Sequence, residues 1–368
     1  MYFITRGSVD VSFRALGRYA FIQAKLRTRI AAMLSQQQVD QLVRCQTLEE
    51  LFHALRETSY APLLDLYHES GDVQRLESWL FARNITLHQE VARLMKGVHA
   101  NAVSAMTRKL EVENLKGVIR LWFSNSVKHQ NIDYRFGYLY QNTIVSSIDW
   151  MSLVNAEKFE DMYRTLRGTP YEDAVSQWTM KSIVQEGLFG LETALDRTWL
   201  HELRETIAHL PSEDRVLADS VLNRDADLKN CINLVRFGWM YRLPETQLRK
   251  LMLEGGTLLD TKEFTTYLKT PAEKRSPEQL VVKRFPVLAK QLKESGKTTV
   301  EEQVRIVEHY LFTVRRQSFD AILRGNPFTF GIILAYFFLE ERQDIMIRSL
   351  INGIYYGWDS DTIREFVV

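Results

Sequence analysis

Apolar residues recur three and four positions apart along most of the chain, the spacing that gathers them on one face of an α-helix. The clearest stretches, 149–166, 184–210, 212–242 and 300–323, are predicted to be helices. No alternating apolar and polar run recurs with paired turn signals, so the predicted fold class is all-α. Only the first dozen residues read as a short strand or extended arm. Breaks fall at 124–134, and at Pro170, Pro211-Ser212 and Leu243-Pro244, the last three where Pro removes a backbone donor. Pro211-Ser212-Glu213-Asp214 reads as a helix start, because Ser and acidic side chains complement the free N–H groups of a first turn. The stretches 269–277 and 294–299 read as polar loops. The most apolar run, 325–339, falls short of the about 20 residues that cross a bilayer and is bounded by Arg324 and Glu340, so it is read as a core helix.

The helical pattern repeats. Leu76-Glu77-Ser78-Trp79-Leu80 returns as Leu191-Glu192-Thr193-Ala194-Leu195 and as Val307-Glu308-His309-Tyr310-Leu311, in steps of 115 and 116 residues. A second helix repeats in phase: Glu111, Asn114, Leu115 and Val118-Ile119-Arg120 correspond to Asp227, Asn230, Cys231 and Leu234-Val235-Arg236. One further step lands on Gln343, Met346, Ile347 and Asn352, which keep the apolar positions and lose the Asn and the Arg. The helix ahead of each pair also corresponds: 48–56 followed by Tyr60, 159–167 followed by Tyr171, and, more weakly, 260–269. A period of this length is too long for a solenoid unit of roughly 20–50 residues and suits a small helical domain. The predicted organisation is an arm at 1–17 and three sibling helical domains at 18–130, 131–243 and 244–368.

Composition narrows the chemistry. At 368 residues the chain exceeds what one core supports, and 45% hydrophobic with 25% charged residues is ordinary for a folded protein. A net charge of +1 gives no support for nucleic-acid binding. Cys45 and Cys231 form neither a disulfide framework nor a ligand spacing, and read as two buried thiols in a reducing cytoplasm. The opening residues lack the apolar stretch of a secretory signal. His201-Glu202 is followed by Glu205 where a zinc-protease helix carries its second His. Asp225-Ala226-Asp227 and Asp359-Ser360-Asp361 lack the Gly and terminal Glu of a calcium loop and read as helix-start acids. There is no phosphate-binding GxxxxGK[ST] loop and no GxSxG, and Gly255-Gly256 reads as a helix stop. Glu77, Glu192 and Glu308 have no paired base beside them, and their repetition argues for packing rather than acid–base work. Glu111 and Asn114 share a face with Leu115, Val118 and Trp122, so they are polar groups at a core edge that require partners. No metal, cofactor or catalytic residue is expected.

Two basic stretches remain, Arg18, Lys25, Arg27 and Arg29, and Arg108, Lys109, Lys116 and Arg120; each is either a solvated face or the complement of an acidic partner. An all-helical enzyme of the terpenoid-synthase type would need a clustered Asp-rich motif, for which Asp225 and Asp227 are a poor substitute. A generic helical scaffold that binds peptides in a groove is a further alternative.

The chain resembles the central-stalk family of V-type and A-type ATPases, known as the C subunit in prokaryotes and the d subunit in eukaryotes. Tyr19, Ala24-Lys25-Leu26-Arg27, Arg29 and Leu34 are similar to that family's opening motif, with Lys25 where Arg is usual. Thr47-Leu48-Glu49-Glu50-Leu51 to Tyr60 looks like its next segment. The helix from Glu111 to Arg120 and its copy ending at Arg236 match its repeated pattern. Asn326-Pro327-Phe328, Gly331, Leu334-Ala335-Tyr336, Glu341, Ile347-Arg348 and the closing Asp361, Ile363-Arg364-Glu365 resemble its final signature. Met346, Asn352 and Ile354 depart from the Asn and basic residues usual in the third repeat. The resemblance implies a pseudo-threefold funnel of three helical domains that is not an enzyme. Its mouth would receive the shaft of the D and F subunits, and its base would rest on the membrane proteolipid rotor ring. The chain would then be cytoplasmic and peripheral to the membrane. Lys25, Arg27, Arg29, Arg120, Arg236 and Arg348 are the candidate partner-facing residues, with Arg120 and Arg236 alternatively internal struts. Glu77, Glu192, Glu308, Asn114 and Asn230 are the structural repeat positions.

Overall fold

The computed structural model describes residues 6–131, 133–281, 284–296 and 299–367. Among them there is helix and no strand. The helices are α1 (Arg6–Ala31), α2 (Gln36–Leu42), α3 (Leu48–Ala54), α4 (Pro62–Ser70), α5 (Val73–Leu94) and α6 (Val98–Ser126). There follow α7 (Trp150–Val154), α8 (Phe159–Thr165), α9 (Glu172–Ser176), α10 (Met180–Glu186), α11 (Phe189–Ala208) and α12 (Ser212–Asn233). The remainder comprises α13 (Glu245–Lys250), α14 (Lys262–Lys269), α15 (Glu278–Val281), α16 (Pro286–Glu294), α17 (Val300–Arg324), α18 (Gly331–Tyr355) and α19 (Ser360–Val367). Three times a cluster of short helices precedes a long pair: α5–α6, α11–α12 and α17–α18. Local chemistry fixes the starts. Ser35 and Thr299 close capping boxes with Gln38 and Glu302, and Thr47, Asp72 and Thr261 each accept a first-turn amide.

Several predicted boundaries shift. The opening residues are helical from Arg6, not extended; residues 1–5 lie outside the described residues. The stretch 149–166 is two short helices, since Asp149 caps the first and the chain turns after Asn155 before the second. Gly187, at φ 76°, separates α10 from α11. Asp225 and Asp227 lie inside α12 and do not start it, whereas Asp359 does cap α19 through the Thr362 amide at 2.9 Å. The loop at 269–277 is anchored by Arg275, which is 5% exposed and donates to the carbonyls of Thr270, Leu268 and Leu243. Cys231 is buried and Cys45 half-buried, both free.

The chain divides into two compact units. The first is Met1–Glu172 with Asn326–Val368. In its core the short helices α2–α4 contribute Val39, Leu42, Leu51, Phe52 and Leu63, and these pack on Met346, Ile347, Leu350 and Ile351 of α18 and Ile363 and Val367 of α19. The earliest short helices therefore sit on the last long one. Elsewhere in this unit α7 and α8 sit on α6. Fully buried Trp122 donates its indole N–H to the Ala156 carbonyl at 2.8 Å, with its ring 5.8 Å from that of Phe159. Helix α1 buries Tyr19, Ile22 and Leu26 at helical spacing, with Tyr19 edge-on to His99.

The second unit, Asp173–Gly325, repeats the scheme. Leu248, Leu251, Phe264 and Tyr267, from α13–α14 and the turn between them, pack on Cys231, Leu234 and Val235 at the end of α12. That end continues as a π-helix, Leu234–Met240, and the Tyr241 amide closes it on the Arg236 carbonyl. The Tyr267 hydroxyl donates to the Leu234 carbonyl at 2.8 Å and would stand 2.7 Å from a Cβ at Gly238. Only glycine lets the ring approach so closely.

Candidate functional site

The repeated positions are struts. Asn114 donates to the Tyr140 carbonyl at 2.9 Å, and Asn230, 0% exposed, clasps Leu253 in both directions at 2.8 Å. Each amide pins a loop that follows its own long helix in the chain, satisfying backbone groups that burial would otherwise leave unpaired. Glu308 pairs with Arg236 at 2.6 Å, and Glu77 accepts from Asn352 at 3.0 Å. Asn352 stands one repeat after Arg236, so the third copy replaces an ion pair with an amide hydrogen bond. Glu192 is half-buried and has interactions of its own.

A tyrosine–carboxylate node sits where short helices meet a long one. Tyr171 donates to Glu111 at 2.7 Å, and Glu111, 0% exposed, also accepts from Arg108 and from the amides of Val145 and Ser146. Tyr60 donates to Asp344 at 3.2 Å. Arg83 bridges Asp344 and Glu340 at 3.3 and 3.0 Å and lies over the Tyr60 ring. At the equivalent place in the second unit, Asp227 accepts the amides of Thr257 and Leu258 and pairs with Arg284, so its role is to hold the glycine loop. Gly255 and Gly256 follow α13 by several residues and are needed there. Both have positive φ, and a Cβ would meet Arg204 or Asp227.

Burial drives the electrostatics at the first unit's node. It raises both tyrosine hydroxyls above their ordinary range and pushes Asp344 up to about 7, against the opposing pull of Arg83 and Arg348. Burial opposes the charge of Arg83, but Tyr60, Glu340 and Asp344 outweigh it. His88, stacked on Phe337 at 3.6 Å, is pushed down to about 3 by burial and Lys109 and stays neutral. The two shifts have opposite consequences. Asp344 holds its proton better folded than unfolded, so its contribution to stability is full below pH ~4 and is lost as pH rises through about 7. His88 contributes above pH ~6.5 and loses that contribution as pH falls towards about 3. Replacing Asp344→Asn removes the first slope alone. The stability of the variant relative to the parent should therefore improve from pH 5 to 8, by up to about 1.4 kcal/mol per unit. Urea unfolding across that range measures it, and a pH-independent difference would mean that Asp344 is ionised throughout.

The six basic candidates stand in different local settings. Arg29 is an internal strut, paired with Glu90 and reaching the Tyr336 hydroxyl at 3.4 Å. Lys25 and Arg27 are half-buried on α1; Arg120 is exposed on α6 and engaged in interactions of its own. Arg236 is half-exposed in the π-turn, and Arg348 lies beside Asp344 on α18. Sequence reasoning does not single out Arg83, Asp344 or Arg284. The repeat carries a signal for Asp344, since one period beyond Asp227 falls on the residue before it. It also misses the aromatic tip of α18–α19, where Tyr355, Tyr356, Trp358 and Phe366 are exposed. Among the described residues no group of His, Cys, Asp and Glu is arranged to hold a metal, and no helix is long and apolar enough to cross a membrane.

Comparison with known proteins gives this arrangement its context. The profile of a family described as ATP synthase (C/AC39) subunit matches residues 22–366. The chain is 22% identical over 370 residues to the C subunit of the A-type ATP synthase of Methanocaldococcus jannaschii, covering 96% of this chain and 87% of that protein. It is 20% identical over 349 residues to the C subunit of the Thermococcus kodakarensis A-type ATP synthase, covering 95% and 90%. It is 20% identical over 371 residues to that of Methanosarcina mazei, covering 98% and 95%.

Proposed function

The chain belongs to the ATP synthase (C/AC39) subunit family, and from that premise we propose that it is the non-catalytic central-stalk component of a V-type or A-type rotary ATPase. It seats the shaft formed by the D and F subunits on the membrane proteolipid ring and passes torque between them for ion transport. The match across 22–366 carries this reading, because it takes in all three long helix pairs and the short helices on them. Three sibling helical domains form a funnel around the end of the shaft. The packing supports the role: buried ion pairs and the two-way clasp of Asn230 stiffen the helices, as a part loaded in torsion requires. Lys25, Arg27, Arg120, Arg236 and Arg348 set partner orientation and encounter rate more than affinity. The protein works at the cytoplasmic side, held to the membrane through the ring.

The decisive experiment is retention of the tagged, purified chain on detergent-solubilised rotor rings, with the D–F complex added in turn. It should hold both and hydrolyse no nucleotide alone. Co-purification with neither partner would overturn the assignment.

A further inference from the structure

Tyr336, Glu340, Asp344 and Arg348 follow one another at four-residue spacing, so they stand along one stripe of α18. The two carboxylates in the middle are 4% and 3% exposed. They share one guanidinium, because Arg83 of α5 reaches Glu340 at 3.0 Å and Asp344 at 3.3 Å. Asp344 receives that cation and the Tyr60 hydroxyl on the same oxygen, Oδ1. Among the described residues its Oδ2 is buried without a hydrogen bond, and so is Nε of Arg348. Arg348 is half-buried and pulls on Asp344 through space. The other charges that reach α18 are committed elsewhere. Arg29 of α1 is tied to Glu90, Lys109 of α6 to Glu341, and Arg364 of α19 to Asp361. On α3, Glu49 faces His53 and His68, and Glu50 holds the Gln46 amide. Glu77 of α5 takes Asn352, and His88, stacked on Phe337, stays neutral. Arg342 and Glu365 have interactions of their own.

We propose that a proton on Asp344 decides where the charge of Arg348 goes: with the proton in place Arg348 turns outward to an acidic group of a partner protein, and without it Arg348 folds back one turn onto Asp344 Oδ2. The partner half of this rests on the stalk reading; the switch itself does not. The charge balance of the stripe dictates the direction. Arg83 with Glu340 already makes a matched pair. An ionised Asp344 calls for a second cation in a site closed to water, and Arg348 stands one turn away. A protonated Asp344 calls for none, so the charge of Arg348 is left over. An acid four residues before a base on a helix is the favourable order for an ion pair, and the long arginine stem reaches both positions. Tyr60 and Arg83 occupy Oδ1, which leaves Oδ2 as the oxygen that gains or loses the proton. Burial raises Asp344 to about 7 against the pull of Arg83 and Arg348, so the change falls in the range where a cell's own pH varies.

The test has two arms on the purified full chain. In the first, phenylglyoxal labels accessible arginines at pH 6 and pH 8, and mass spectrometry reads the label on Arg348. Dividing by the label on Arg348 in the Asp344→Asn variant at the same pH cancels the reagent's own pH dependence. The ratio should be near one at pH 6 and fall up to about tenfold at pH 8, where about one molecule in ten still carries the proton. In the second arm, binding to the D–F complex and to detergent-solubilised rings is measured at the same two pH values. The partner that Arg348 meets should bind up to about tenfold more tightly at pH 6. Arg348→Gln should remove that difference by lowering the pH 6 affinity, and Asp344→Asn should remove it by keeping the higher affinity at pH 8. Circular dichroism checks that each variant is folded. A label ratio that is the same at both pH values overturns the proposal. A gated label with partner binding indifferent to pH overturns its partner half and leaves the stalk reading standing. A gated label with neither partner bound at either pH sinks the stalk reading and upholds the switch.

Discussion

A chain shortened to end at Gly325 is expected to lose the structure of the helices between Gln36 and Leu80, although every residue of them is still present. The reason lies in who packs on whom. Val39, Leu51, Phe52 and Leu63 share their core with Met346, Ile347, Leu350, Ile351, Ile363 and Val367, all absent from the shortened chain. Burying six such side chains is worth on the order of 10 kcal/mol, since each contributes about 1.5–3 kcal/mol. That is comparable with the whole margin of about 5–15 kcal/mol by which a domain is stable. Tyr60 would also lose Asp344, and Arg83 would lose both of its carboxylates. The compact unit Asp173–Gly325 keeps its own core and should stay folded. Amide hydrogen exchange reads both outcomes in one experiment. Protection of α3 and α4 should collapse while that of α12 and α17 persists. If α3 and α4 stayed protected, they would have enough core without the C-terminal helices.

Replacing Glu111→Ala should destabilise the protein by about 3–5 kcal/mol, the range found when one partner of a buried ion pair is removed. Four donors converge on this carboxylate, from Tyr171, Arg108 and two backbone amides, and the carboxylate they share is 0% exposed. Glu111→Gln keeps one acceptor oxygen in place and loses the charge, so it should fall between the parent and the alanine variant. Tyr171→Phe combined with Glu111→Ala should cost less than the two changes added separately, because the same hydrogen bond is removed in both. Guanidinium unfolding curves give these numbers. A loss below about 1 kcal/mol for the alanine variant, the level of an exposed ion pair, would show that solvent reaches the site.

The repeat makes much of this legible. Placing Glu111 and Asn114 at a core edge predicts partners for them, and both have them, because a polar side chain on an apolar helix face has few other fates. Arg236, readable from the sequence as partner-facing or as an internal strut, pairs with Glu308 while its side chain stays 47% exposed. What a linear repeat does not reveal is which copy supports which. The partner of Tyr60 lies 284 residues away, and the period relates positions without saying that the last copy packs on the first. The extended arm fails for a different reason. The run from Arg6 contains β-branched and aromatic residues that suit either state, and the buried face Tyr19, Ile22 and Leu26 decides for helix through contacts made far along the chain. Arg275 is hidden inside a polar composition. Nothing in the letters KTPAEKRSP distinguishes the cation whose guanidinium donates to three backbone carbonyls.

The shared core of the two chain ends sets an order of events during synthesis. Helices α2–α4 leave the ribosome early but cannot bury Leu51, Phe52 and Leu63 until α18 and α19 have followed. At roughly 5–20 residues per second that wait lasts tens of seconds, during which apolar helices stand open to misassociation. Residues 173–325, translated later, complete their core sooner. Helices α2–α4 are thus made before their core and secured late, and a nascent chain halted before Met346 is the species that most needs a chaperone.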